Sequence, residues 1–383
     1  ERRGGRFSYV ARYNSPTMLS LRTWRHFDFI MFGAVALLLI FGILMIRSAT
    51  MDAIDPDLQG RVPRQIQFGL VGLGLIFALA AIDYRLLGSI HQYIYGFMLA
   101  VLGLVAGLGV VGAAGAQRWL NVGIAVQPSE VSKVLLVLTL AQYLSTRYER
   151  LGRLQTLLGS LVYIALPAGL IFIQPDLKTT VTLVVVWFVM VWGAGLRLTH
   201  IALFALIIVL LTPLLWGAME DYQRARIIQF INPAGDPDAQ YNIDQALIAI
   251  GSGGLLGKGY TEGTQSQLRF LRVRHTDFIF SVIAEELGFV GAAAVLLIMG
   301  LLLLRILRAA RLARDALGSL ICYGVGTIIF FQTFVSVGMN LGMIPVTGLT
   351  LPFISSGVSS LLTMMMGIGL VESVVMRHRQ LEF

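Results

Sequence analysis

The stretch "RFLRVRHTDFIFSVIAEELG", residues 269–288, sets three arginines, a histidine and an aspartate ahead of an apolar run that then carries two glutamates. Ionisable side chains are costly near hydrocarbon, and those kept there line cavities, pair with one another or do chemistry. Asp277 stands where the apolar run begins. A carboxylate there can cap the following helix, accepting backbone N–H bonds at the positive end of the dipole, or it can act as a general base; the two roles can coexist. Arg269, Arg272 and Arg274 add a cationic strip that matches an anionic lipid phosphate, with headgroup anchoring by snorkelling as the plain alternative. His275 has no second histidine nearby, so a metal role lacks support and a local hydrogen bond is expected. Glu285 and Glu286 suit a structural polar contact for at least one of them, or steps in a proton relay.

A second constellation lies in "GAQRWLNVGIAVQPSEVSK", residues 115–133. Pro128 and Ser129 read as helix start signals, with Ser129 or Gln127 near the N-cap, and Glu130 and Lys133 fall three apart on one helical face. An i,i+3 ion pair is the simple reading; near the outer end of a span, Lys133 could also reach an acid or a phosphate in a cavity. Arg118 and Trp119 combine a phosphate donor with an interfacial aromatic. "GSGGLLGKG", residues 251–259, resembles a phosphate loop only superficially. Ser252 stands where the pattern wants glycine and Gly259 where it wants Ser or Thr, so nucleotide binding is rejected. Its glycines suit tight turns and close backbone approach to a ligand, with Lys258 as a candidate contact. In "GMIPVTGLTLPFISSGVSSLL", residues 342–362, prolines and glycines interrupt an apolar region, and such irregular backbone is tolerated at membrane depth where it is buried in protein or lines a cavity.

The elements that position these residues follow from composition. With 56% apolar and 13% charged residues and a mean hydropathy of +0.78, the chain lies outside the range of soluble domains. Apolar runs long enough to span a bilayer fall at 27–47, 64–82, 91–111, 129–146, 156–173, 179–195, 199–217, 278–304, 318–338 and 356–376. The expected fold is therefore an all-α polytopic membrane protein of ten transmembrane helices. It has tails at 1–26 and 377–383 and one membrane domain at 27–376. Basic residues collect ahead of the first span (Arg22, Arg25) and in alternate loops (Arg85, Arg147, Arg197, Arg305, Arg377), which places both termini in the cytoplasm. The formal charge of +8 is thus an orientation signal and not a nucleic-acid surface. Residues 218–277 form a large extracytoplasmic loop between helices 7 and 8, and their apolar periodic stretches predict short helices. The first span is too long for a removed signal and lacks a small-residue cleavage site, so it is read as a retained anchor. Met18 suits a native start, which would make residues 1–17 an extension with no assigned function. Cys322, the single cysteine, reads as a small core residue.

Five segments in this order, "RWLNVGIAVQPSEVSK", "QPDLKTT", "YQRARIIQFINPAGDP", "QALIAIGSGGLLGKGYTEGTQSQLRFLRVRHTDFIFSVIAEELG" and "GMIPVTGLTLPFISSGVSSLL", resemble the SEDS family (shape, elongation, division and sporulation), and the likeness runs from the first span to the last. The resemblance implies a ten-helix peptidoglycan glycosyltransferase that polymerises lipid II at the outer face of the cytoplasmic membrane. It places the family's essential aspartate on Asp277 and its Glu and Lys after Gln-Pro-Ser on Glu130 and Lys133. "RHTDFIFSVIAEELG" is more similar to the elongation branch, although "GLTLPF" leans toward division. Leu271-Arg272-Val273 replaces a usual Leu-Pro-Glu, Lys178 a usual glycine, and Ser356-Gly357-Val358 part of a usual Ser-Tyr-Gly-Gly. Implied partners are lipid II, the growing lipid-linked glycan, a class B penicillin-binding protein and other elongation-complex membrane proteins. No cofactor is required; a divalent cation, magnesium or manganese, is compatible with a departing pyrophosphate, but no ligand set is visible. A lipid II flippase and a non-catalytic scaffold are the rival functions.

Overall fold

The computed structural model describes residues 24–51, 55–108, 110–111, 117–121, 125–148, 154–195, 210, 212–214, 216–235, 237–271 and 273–377. The chain opens with α1 (Phe29–Ala49), a short α2 (Pro56–Gln59), α3 (Arg61–Ala81), α4 (Tyr84–Ser89) and α5 (His91–Leu108). Strands β1 (Val110–Val111), β2 (Gln117–Asn121) and β3 (Ala125–Val126) follow, then α6 (Pro128–Ser145), α7 (Leu154–Ile173) and α8 (Leu177–Gly193). Next come α9 (Asp221–Ile231), α10 (Pro237–Gly253) and α11 (Thr264–Gln267), and the chain ends in α12 (Ile279–Leu312), α13 (Ala316–Asn340) and α14 (Val358–Met376).

Among the described residues six helices are long and apolar enough to cross a bilayer: α1, α2 with α3, α7, α12, α13 and α14. α5 and α8 are apolar but shorter. Most of the run expected at 199–217 lies outside the described residues. The all-α class holds with one addition: β1, β2 and β3 pair antiparallel in the order β1-β2-β3. The run expected at 91–111 accordingly stops as a helix at Leu108, because the valines that follow enter the sheet. The long loop carries α9, α10 and α11, so its apolar periodicity does mark short helices.

α6 occupies the centre of the bundle, contacted by α5, α7, α8, α13 and α14. A helix enclosed by other helices presents little surface to lipid, which is what lets α6 carry buried Ser129, Glu130, Ser132 and Lys133 in its first two turns. At the opposite end, Asp28 caps α1 through the N–H groups of Ile30 and Met31. It also meets Arg305 of α12 at 2.6 Å, while its own N–H donates to Glu372 of α14. Arg305 lies just past the expected end at 304, and α12 runs on to Leu312.

α12 is broken at Gly288, whose φ of 66° and ψ of −165° lie outside the helical region. The glycine-rich segment 254–259 splices into the gap. Lys258 and Gly259 donate their N–H groups to the carbonyls of Glu285 and Glu286, both at 3.0 Å, and Phe289 and Val290 donate to Gly254 and Leu255 at 2.9 and 3.1 Å. The glycines thus bring the loop against a helix backbone, where ligand approach was the sequence expectation. A Cβ on Gly257, at φ 81°, would collide with the Glu286 carbonyl. Overpacking against backbone costs roughly 1–3 kcal/mol, so Gly257→Ala is expected to lower the unfolding midpoint in detergent. An unchanged midpoint would mean the splice yields easily.

Candidate active site

Asp176 fixes the geometry of the site's floor. Buried at the N-cap of α8, its Oδ2 accepts hydrogen bonds from Gln127 Nε2 and Ser129 Oγ, both at 2.8 Å, and from Thr179 Oγ1 at 2.9 Å. The backbone N–H of Gln127 donates to Ser359 Oγ of α14 at 3.0 Å. The starts of α6, α8 and α14 are thereby drawn together. Gln127 is the N-cap of α6 by backbone position, but its side chain bonds across to Asp176 and makes no cap. One turn into α6, Glu130 accepts from Lys133 Nζ at 2.7 Å, both groups shielded from solvent.

The turn that carries Asp277 is stitched to its neighbours on two sides. Asn340 at the end of α13 donates to the Asp277 carbonyl at 2.8 Å and accepts from Ser281 N and Oγ at 3.1 and 2.7 Å. From the irregular segment 342–357, Ser355 Oγ donates to the Thr276 carbonyl at 2.9 Å and Ser356 N–H to the His275 carbonyl at 3.0 Å. The N-cap of α12 is Phe278, and in the first turn Ser281 donates its N–H to Asn340 Oδ1 and to the Phe278 carbonyl, as Val282 does to that carbonyl, so these N–H groups are capped without the Asp277 carboxylate.

That carboxylate faces a cavity of about 860 Å³, shared with Glu130, Gln127, Lys178, Arg61, Arg64, Asp57 and the polar residues of 348–360. Burial pushes the Asp277 carboxyl above its ordinary range, opposed by the positive charges of Lys178 and Arg226. Burial, aided by Arg61 and Arg274, pushes His275 down to about 4, which leaves its ring neutral at pH 7. Asp57 pairs with Arg61 and with Arg64, the latter at 2.8 Å. Arg61 Nε is buried with no partner among the described residues.

The cavity gathers Asp277 and Glu130, with Lys133 directly behind Glu130. It does not gather the other proposed contacts. Lys258 is spent on Glu285 at 3.1 Å and Thr264 at 2.6 Å. Arg274 is buried and donates through Nε to the Ala49 carbonyl at the end of α1, and burial depresses its pKa. Arg269, at φ 64°, does not line the cavity either. Arg272 and the side chains of Arg118 and Trp119, on β2, lie outside the described residues. Glu285 and Glu286 are both fully buried and act as anchors: Glu285 accepts from Gln265 N at 2.7 Å and Ser266 N at 3.1 Å, and Glu286 accepts from Thr261 N at 3.2 Å and from Ser48. The sequence reading missed Arg61, Arg64 and Lys178. A basic pair at i,i+3 on the side of the membrane where short loops hold few cations was the available signal.

Among the described residues no three His, Cys, Asp or Glu side chains converge. Of the cavity carboxylates, Asp57 is taken by two arginines and Glu130 by Lys133. The donor set among the described residues does not fit a divalent cation held by protein alone.

Taken with the apolar helices, the arrangement defines a multi-pass membrane protein with a polar, cation-rimmed cavity built around one uncapped carboxylate. The chain belongs to the FtsW/RodA/SpoVE family of cell cycle proteins, whose sequence profile matches residues 28–380. It is 37% identical over 359 residues to the peptidoglycan glycosyltransferase MrdB of Escherichia coli, covering 93% of this chain and 95% of that one. It is 34% identical to stage V sporulation protein E of Bacillus subtilis, covering 91% and 96%. Among solved structures, the rod shape determining protein RodA of Thermus thermophilus superposes with a TM-score of 0.69 at 32% identity, covering 93% of this chain and 99% of that one. A chain from a peptidoglycan synthase complex described as coordinating polymerization and crosslinking matches with a TM-score of 0.79 at 32% identity, covering 92% and 99%.

Proposed function

We propose that this chain is a peptidoglycan glycosyltransferase that polymerises lipid II at the outer face of the cytoplasmic membrane during cell elongation, with Asp277 as general base. The observation that carries this reading is the uncapped Asp277 carboxylate sharing one cavity with Glu130, Arg61 and Arg64; the activity named for MrdB supports the reaction class. The acceptor hydroxyl oxygen attacks the anomeric carbon of the donor sugar and a new C–O bond forms. The bond from that carbon to the polyprenyl pyrophosphate breaks, and its electron pair leaves with the phosphate. Asp277 takes the hydroxyl proton. The pyrophosphate leaves as an anion, so no second carboxylic acid is needed to protonate it. Arg61 and Arg64 line the same cavity and share Asp57 as a partner, and as the cations there they stabilise the negative charge that grows on the leaving pyrophosphate.

In the membrane the chain has ten spans, counting one at 199–217, with both termini cytoplasmic and the loop 218–277 outside. Its partners are a class B penicillin-binding protein and other elongation-complex membrane proteins, in keeping with the synthase complex that its fold matches. A flippase would need a file of polar steps across the bilayer. Glu285 and Glu286 do not supply one, because their oxygens are consumed by loop 258–267. Incubating the purified chain with lipid II in vesicles tests the reading. Glycan polymer is the expected product; translocation without polymer would favour a flippase, and neither would leave a scaffold.

A further inference from the structure

Lys178 stands second in α8, lines the cavity with Asp277, and donates from Nζ to the Gly348 carbonyl at 3.1 Å. Gly348 adopts φ 74°, and a Cβ built there would lie 3.5 Å from Asp277 Oδ2, an ordinary van der Waals distance, so the carbonyl that holds the ammonium belongs to a residue beside the carboxylate. Among the described residues Lys178 forms no ion pair. Its charge is therefore near Asp277 but not in contact with it. That separation matters for a base. A contact ion pair would occupy the carboxylate oxygens that must receive the proton, whereas a cation held a short distance away favours the charged form and leaves them open.

We propose that Lys178 is a positioning residue for polymerisation: tethered by Gly348, its ammonium keeps Asp277 ionised inside the cavity without pairing with it. The proposal rests on Asp277 being the base. The other charged groups that face Asp277 divide by element. Arg226 of α9 acts in the same direction as Lys178, with the smaller effect. Glu130 of α6 is paired with Lys133, and Arg61 and Arg64 of α3 are paired with Asp57. His275, on the same turn, is neutral at pH 7. Segment 348–360 contributes only uncharged residues to the cavity. Among the described residues that line the cavity, Lys178 is thus the cation not paired with a carboxylate.

Burial raises the Asp277 carboxyl and Lys178 opposes the rise, so losing the cation raises it further. Activity through an ionised base then disappears at a higher pH as the solution is acidified. In lipid II polymerisation by the full chain, Lys178→Gln and Lys178→Met are expected to move the acid limb of kcat/KM up by roughly one pH unit, the low end of the effect of a nearby opposite charge. Lys178→Arg should leave it in place. Gln can still donate to the Gly348 carbonyl. A Gln variant with the wild-type limb, or Gln and Met variants slowed by one factor at every pH, would reduce Lys178 to a loop tether and overturn the proposal. The protonation state of Asp277 can also be read without turnover, as the carboxyl band lost in Asp277→Asn infrared difference spectra. That band is expected to persist to higher pH in Lys178→Gln, and an unmoved band overturns the proposal even if the variants are inactive. Wild-type polymerisation by Asp277→Asn would instead defeat the general-base reading, whatever Lys178 does.

Discussion

Asp277→Asn is expected to lower the rate of lipid II polymerisation by about 10²–10⁴, the usual contribution of a positioned general base. The substitution keeps size and shape but replaces the proton acceptor with an amide. The contacts that place the turn survive, because Asn340 bonds the Asp277 carbonyl and Ser355 and Ser356 bond the carbonyls of the two preceding residues. An amide avoids the desolvation cost that burial imposes on the carboxylate. The thermal unfolding midpoint should therefore stay close to that of wild type or shift slightly upward. Lipid II binding should change little, since the lost interaction belongs to the transition state and not to the ground state. Loss of turnover with retained folding and binding separates a catalytic group from a cap or a strut. Polymer made at the wild-type rate would remove Asp277 from the chemistry.

How much of this site could be read from sequence depends on how local the determinants are. Asp277, Glu130 and Lys133 were legible because each stands at the polar edge of an apolar run, where an ionisable group is conspicuous. The pairing of Glu130 with Lys133 was legible from i,i+3 spacing alone. Lys258 and Arg274 misled because sequence shows a cation's presence and not its partner: one is claimed by Glu285 and the other by the Ala49 carbonyl, residues 27 and 225 positions away. Long-range pairings of this kind have no local signature.

The same limit governed the fold. Helix existence followed from hydropathy, and the helical content of loop 218–277 from periodicity. The β1–β3 sheet was missed because its two outer strands have only two residues each and β2 only five, too little pattern to mark a sheet beside the end of an apolar helix. The break at Gly288 was missed for a different reason. Its cause lies in Gly254, Leu255, Lys258 and Gly259, which replace the helical hydrogen bonds from across the loop. The glycines of that loop looked suited to a ligand, and close approach was the correct inference with the wrong target.

Lys133→Met is expected to be the most destabilising of the substitutions considered. Lys133 Nζ is fully buried, and Glu130 is nearly so, with 2.7 Å between them. Removing one member of a buried pair leaves the other charge uncompensated, at a cost of about 3–5 kcal/mol. The loss should register as a lowered unfolding midpoint and poor recovery from the membrane. In Glu130→Gln/Lys133→Met no charge is stranded, and most of the stability should return, since a buried pair contributes little net stability over uncharged replacements of similar volume. Activity should not return with it. Glu130 lines the cavity beside Asp277 whereas Lys133 stands behind it, so the pair's charges contribute to the field in which the base works. A double variant that recovered both stability and polymerisation would confine the pair to structure. One that stayed as unstable as Lys133→Met would show that packing around α6, and not the stranded carboxylate, sets the penalty.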